Sequence, residues 1–206
     1  MIRSILAGGI ASAILLAPFV SSARAAVGDS LPVAQNGKAE AAFSRFRVRA
    51  ATGDSEAQIY LGELYRHGLD LTWDLHKAFS WYLKAARQGH VAGLSNVGSA
   101  YFYGLGVPLD YEEASVWYLK AAQKGDTIAI TNLGNMYLKG QGVSRDPVQA
   151  YMWFTIGARM GDDKAREQSS NVRNGLTTLE IQRALDRVNE QLAKFSPIQK
   201  PAMGHD

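Results

Sequence analysis

An all-α solenoid, in which antiparallel helix pairs stack side by side, is the fold class that two features of this sequence predict. The first is a self-similarity with a period of 36 residues, a length that marks a stacked repeat array. Gly53, Gly89, Gly125 and Gly161 recur at that interval, as do Gly62, Gly98 and Gly134; Tyr65, Tyr101 and Tyr137; Gly68, Gly104 and Gly140; Asp74, Asp110 and Asp146; Ala78, Ala114 and Ala150; and Trp81, Trp117 and Trp153. The second is that each period carries two apolar patterns at helical spacing, each stopped by a glycine. Arrays of this kind usually present a surface to a partner.

Residues 1–25 read as a secretory signal peptide. Arg3 gives a positive start, an apolar run of about 16 residues extends from Ile5 to Val20, and Ala23-Arg24-Ala25 supplies small residues for cleavage after Ala25. That run is short of the roughly 20 residues that span a bilayer. Cleavage removes Arg3 and Arg24 and leaves 20 basic against 19 acidic residues, a net charge of +1. The sequence therefore predicts a periplasmic or secreted protein with no stable membrane insertion. A near-neutral chain also has no bulk electrostatic pull on nucleic acid. The absence of cysteine excludes disulfides, a thiol nucleophile and a thiolate metal site.

Residues 26–37, with Gly28, Pro32 and Gly37, form a linker by composition. The array proper spans 38–195. Its leading half repeat, 38–53, is read from Ala42, Phe43, Phe46 and Ala50, which fall in register with Ala78, Phe79, Tyr82 and Ala86. Three full repeats follow at 54–89, 90–125 and 126–161. In the first, Ala57, Leu61, Leu64 and Tyr65 mark a helix over Ser55–Arg66, helix A, and Ala78, Trp81, Tyr82, Ala85 and Ala86 mark helix B over Leu75–Gln88. Asp74, Asp110 and Asp146 stand at the start of helix B, where a side-chain oxygen satisfies unpaired N–H groups, and Pro147 follows at the first helical position. Gly62, Gly98 and Gly134 lie inside helix A and cost about 1 kcal/mol each relative to alanine; close approach of helix B through Ala78, Ala114 and Ala150 is the expected reason. Trp81, Trp117 and Trp153 are expected to fill the space between successive pairs beside Tyr82, Tyr118 and Phe154, so that Trp117→Ala removes about 3–5 kcal/mol. A degenerate half repeat, 162–175, carries Ser169, Ser170 and Arg173 where apolar residues stood before. A capping helix, 177–195, opens with Thr177 and Glu180 as a capping box and shows Ile181, Leu185, Val188, Leu192 and Phe195 as one stripe expected to close the open end of the stack. The tail 196–206, with Pro197 and Pro201, is read as flexible.

The strings Leu61-Gly62-x-x-Tyr65-x-x-Gly68, Leu133-Gly134-x-x-Tyr137-x-x-Gly140-x-Gly142-Val143-x-x-Asp146 and Trp117-Tyr118-x-Lys120-Ala121-Ala122 resemble the Sel-1-like repeat family. That family is similar to tetratricopeptide repeats, with units longer by about two residues. The resemblance covers residues 38 to about 175, with Asp70 in place of the second loop glycine, Val97 in place of leucine, and Thr155-Ile156-Gly157 eroding the third Trp-Tyr string. It implies a right-handed superhelix acting as an adaptor for other proteins, whose exported members serve envelope signalling, surface assembly or host contact. A cysteine-rich branch linked to β-lactam binding staples its repeats with disulfides, which this chain cannot do.

Columns that stay fixed across repeats serve packing, and columns that vary are free to serve recognition. On helix A the columns Ile59/Ser95/Thr131, Glu63/Ser99/Asn135 and Arg66/Phe102/Leu138 vary and share one face by their i, i+4, i+7 spacing. They predict a groove for a protein or peptide partner, with His67, Tyr103 and Lys139 at the rim and Phe102 and Tyr103 as anchors. No catalytic residue, cofactor or metal ligand set is visible: His67, His76, His90 and His205 are too far apart for a helical metal pair, and Glu112 and Glu113 sit in a first turn that favours acid. The alternatives are a cell-wall or β-lactam hydrolase and a peptidoglycan-binding module stacking sugars on Phe102 and Tyr103.

Overall fold

A computed structural model describes residues 38–68 and 73–195 of the chain. The signal peptide with Ala23 and Ala25, the linker 26–37, Asp70 and the tail 196–206 lie outside the described residues. The chain divides after Ala39 into two units, and the helical array belongs to the second, apart from the first two residues of α1.

Among the described residues the secondary structure is wholly helical. Helix α1 (Lys38–Ala51) is the leading half repeat. The A helices are α2 (Ser55–His67), α4 (Val91–Tyr103) and α6 (Thr127–Lys139), and the B helices are α3 (Leu75–Arg87), α5 (Tyr111–Ala122) and α7 (Pro147–Arg159). Helices α8 (Asp163–Arg173) and α9 (Thr178–Lys194) end the array. Each A helix packs on its own B helix, and each B helix packs on the next A helix, so the core is one continuous seam along the stack. Side-chain caps place the B helices: Asp74 accepts from the Lys77 amide at 2.9 Å, Asp110 from Glu113 at 3.0 Å, and Asp146 from Val148 and Gln149 at 2.9 and 3.0 Å. At α9 the Thr177–Glu180 capping box is formed in both directions.

The interior glycines of helix A face an aromatic ring and not the alanine column. A Cβ on Gly98 would lie 2.7 Å from the Tyr118 ring and one on Gly134 would lie 2.6 Å from Phe154, with Gly62 meeting Tyr82 in the same way. The ring occupies the space a Cβ would need on the neighbouring helix, and the area it buries there offsets the helix propensity that glycine forfeits. Ala78, Ala114 and Ala150 are buried as well.

The tryptophans take a different place from the one expected. Tyr82, Tyr118 and Phe154 are the buried wedges, at 3% exposure or less. Trp81 and Trp117 lie one residue earlier, about 100° round the helix, and are only half-buried on the outer side. Each is overlaid by the lysine three residues on, Lys84 at 3.8 Å and Lys120 at 4.2 Å from the ring centre. Trp153 alone is enclosed, because α9 packs on α7. Met152, Trp153 and Ile156 are thereby covered, whereas the equivalent Val116 and Lys120 on α5 are exposed. The capping helix therefore does not shut the end of the stack as a lid; its buried Ala184 and Val188 serve the outer face of the last B helix. The end itself is left to α8, of which only Ala165 is fully buried.

The loops between A and B helices stack on the preceding repeat. Gly106 lies against the Leu75 carbonyl and His76 amide, and Gly142 against the Tyr111 carbonyl and Glu112 amide, in both cases too close for any Cβ. Main-chain bonds of 2.9 Å from the Asp74, Asp110 and Asp146 amides to the Tyr65, Tyr101 and Tyr137 carbonyls tie each loop back to its own A helix.

Candidate functional site

The A helices share one side of the stack. Helices α4 and α6 touch directly, and side-chain bonds cross from one A helix to the next or to its cap. Asn96 Nδ2 donates to Glu63 Oε1 at 3.2 Å, Ser95 Oγ donates to Asp126 Oδ1 at 3.3 Å, and Thr131 Oγ1 donates to Asp162 Oδ2 at 2.7 Å.

These bonds show what the variable columns do. The first, Ile59, Ser95 and Thr131, is the joint between repeats. Ile59 and Ser95 are buried, and both hydroxyls are committed to the aspartate that caps the next A helix. The second, Glu63, Ser99 and Asn135, answers the aromatic wedge. Glu63 accepts from the Tyr82 hydroxyl at 2.8 Å, and Ser99 shares a 3.0 Å bond with the Tyr118 hydroxyl. Phe154 has no hydroxyl, and there Asn135 donates instead to the Thr131 carbonyl. Burial pushes both phenols above their ordinary pKa, so they stay neutral donors. Glu63 also takes Arg66 at 2.8 Å, which with Tyr82 and Asn96 makes it the centre of a three-donor network, and the His67 ring lies 3.2 Å away. Asn132 is the counterpart of Asn96 and lies beside the Tyr118 hydroxyl; Ser99 stands where the first repeat has the Glu63 carboxylate.

The third column is half-buried. Phe102 packs against the rings of Tyr103, Tyr111 and Tyr118 at 4.9, 5.1 and 6.3 Å, and Leu138 packs beside Ala150 and Phe154. The freest positions are at the rim, where Tyr103 is 51% exposed and His67 and Lys139 are also exposed. The structure therefore gathers the predicted residues on one side, but assigns Ile59, Ser95, Ser99 and Thr131 to holding the array together. Chemically the face offers hydrogen bonding, one aromatic platform and scattered charge. Among the described residues no group of three or more His, Cys, Asp or Glu is disposed to hold a metal ion.

One functional column escaped the sequence reading. Asp54, Asp126 and Asp162 cap α2, α6 and α8, and Asp126 and Asp162 also receive the joint hydroxyls. They stand 36 apart with His90 in the missing place, so the signal was the same periodicity that revealed the other columns.

Stacked helix pairs, a shared face of A helices and inter-repeat joints define an α-solenoid of the kind that displays a surface. A model of the Sel1 repeat matches residues 55–90, 91–126 and 127–162, more than half of the chain, and the protein belongs to the Sel1 repeat family. Among solved structures, a Sel1 repeat protein from Oxalobacter formigenes is similar, with 31% identity and a TM-score of 0.65 over 78% of this chain and 67% of that one. A protective antigen of uropathogenic Escherichia coli strains, which displays an SLR fold, matches with 26% identity and a TM-score of 0.53 over 82% of this chain; this chain spans only 45% of it. No curated protein matches. Members of the family are generally protein-interaction scaffolds and typically without catalytic activity.

Proposed function

We propose that this protein is an exported, non-catalytic adaptor that holds a protein or peptide partner against the face formed by α2, α4 and α6, in the service of an envelope signalling or surface-assembly protein. The observation that carries this reading is Tyr103. A large aromatic side chain stands half in solvent at the rim of that face, in the middle repeat, braced edge-on by Phe102, which is itself fixed by Tyr111 and Tyr118. A rigid, amphipathic ring gives up little conformational entropy on binding and is the kind of side chain that dominates interface energies. Lys139 and the Arg66–Glu63 pair supply polar contacts on either side. Export rests on residues 1–25, and it agrees with the description of the E. coli relative as an antigen. Among the described residues no helix is long and apolar enough to cross a membrane.

The test is affinity capture from envelope extract with residues 26–206, beside a Tyr103→Ala variant. Tyr103 is the better target than Phe102, whose ring is part of the packing against Tyr118. A protein retained by the wild type and lost by Tyr103→Ala supports that face as the interface. Capture by both moves the interface elsewhere on the scaffold. Sedimentation with purified cell wall, and not with protein, would transfer the face to a glycan.

A further inference from the structure

The three joints between successive repeats are built alike except for one. At α6 and α8 the capping residue is an aspartate that accepts from amides of the first turn, Asp126 from Ala129 at 2.7 Å and Asp162 from Lys164 and Ala165 at 2.9 and 3.2 Å. Each also takes a hydroxyl from the preceding A helix, Ser95 and Thr131 respectively. At α4 the cap is His90, in the same extended backbone conformation, with no side-chain bond to the first turn. The residue of α2 that faces this place is Ile59, which has no donor to give. The first joint therefore lacks both bonds that pin the other two, and the Asn96–Glu63 bond at 3.2 Å crosses it instead.

His90 Nδ1 is buried and has no partner. Charging this imidazole sets a cation at the N-terminus of a helix whose first amides already carry uncompensated positive character. The charge that acts on it is Glu56 on α2, which attracts the imidazolium; the Lys124 ammonium in the α5–α6 turn lies 3.5 Å from where a side chain on the neighbouring Gly89 would begin. Burial and the helix end thus disfavour the imidazolium, and Glu56 favours it.

We propose that the junction at His90 is an acid-labile joint, at which protonation frees α1–α3 from an array that otherwise stays packed. This lability is independent of where a partner binds. Burial holds the His90 pKa below its ordinary value in the folded chain, so the stability it contributes is present above the unfolded value of 6.5 and is lost as the pH falls from there through the folded value. The pinned joint behaves in the opposite sense: burial raises the pKa of Asp126, so its carboxylate is least favourable at neutral pH and acid relieves it. Acid therefore loosens the first joint without loosening the second.

Amide hydrogen exchange of the purified protein at pH 7.5 and 5.5, corrected for intrinsic rates, separates the joints. Protection of α2, α3 and the first turn of α4 is expected to fall relative to α6 and α7, by at most about tenfold, the ceiling for a histidine one pH unit below its ordinary pKa. His90→Asn, a neutral cap, should abolish that relative fall and raise protection of α4 at pH 7.5; His90→Asp should do the same with the side chain of the other joints. A fall spread evenly over all repeats, no fall, or an undiminished fall in His90→Asn would overturn the proposal, the last by assigning the response to His67 or His76.

Discussion

Two aromatic columns run through the array one residue apart, and they do different work. Tyr82, Tyr118 and Phe154 point between helices and lie on glycine backbone; Trp81, Trp117 and Trp153 point outward and are buried only where another helix covers them. Size is therefore a poor guide to importance in this fold. The smaller ring is the wedge that sets the spacing of A and B helices, and the larger is a surface plate whose value depends on what lies over it.

Substitutions along the second and third repeats sharpen that contrast. Tyr118→Ala should lose the most, about 3–5 kcal/mol, because it opens a cavity over Gly98 in the middle of the stack. Trp153→Ala should come next, at about 3 kcal/mol, since the ring is enclosed by α9 although its indole N–H has no partner there. Trp117→Ala should cost about 1 kcal/mol, the worth of a half-exposed ring and its Lys120 contact. Tyr118→Phe should cost the least, about 0.5–1 kcal/mol, by removing the bond to Ser99. Urea melts at constant slope measure all four. Equal losses for Trp117→Ala and Tyr118→Ala would erase the distinction between the columns.

The period and the starts of the B helices were legible because glycine, aspartate and proline act through the backbone within a few residues of their own position. The division of labour between adjacent aromatics was not. Trp117 and Tyr118 both fall within one broad apolar stripe, and only the position of the neighbouring helix decides which ring is inside. The same holds for α9, whose stripe of Ile181, Leu185 and Val188 says that it packs but not upon what. On the candidate face the rim residues Tyr103 and Lys139 were legible as exposed positions. The column of Glu63, Ser99 and Asn135 varies as a free column would, whereas it follows the wedge: Glu63 bonds Tyr82, Ser99 bonds Tyr118, and opposite Phe154, which has no hydroxyl, Asn135 bonds its own helix. Variation there tracks a contact across the pair, and one sequence displays it only when the columns are compared with one another.

The loop glycines carry a last implication, for the order of the units. Gly106 and Gly142 are the surfaces by which a unit reads its predecessor, and Asp70 holds that place in the first unit. A copy of residues 54–89 set in the second or third position would put the Cβ of its aspartate onto the carbonyl of the unit before it. The three units are thus not interchangeable tiles: the second and third places demand a residue without a side chain where the first unit carries an aspartate.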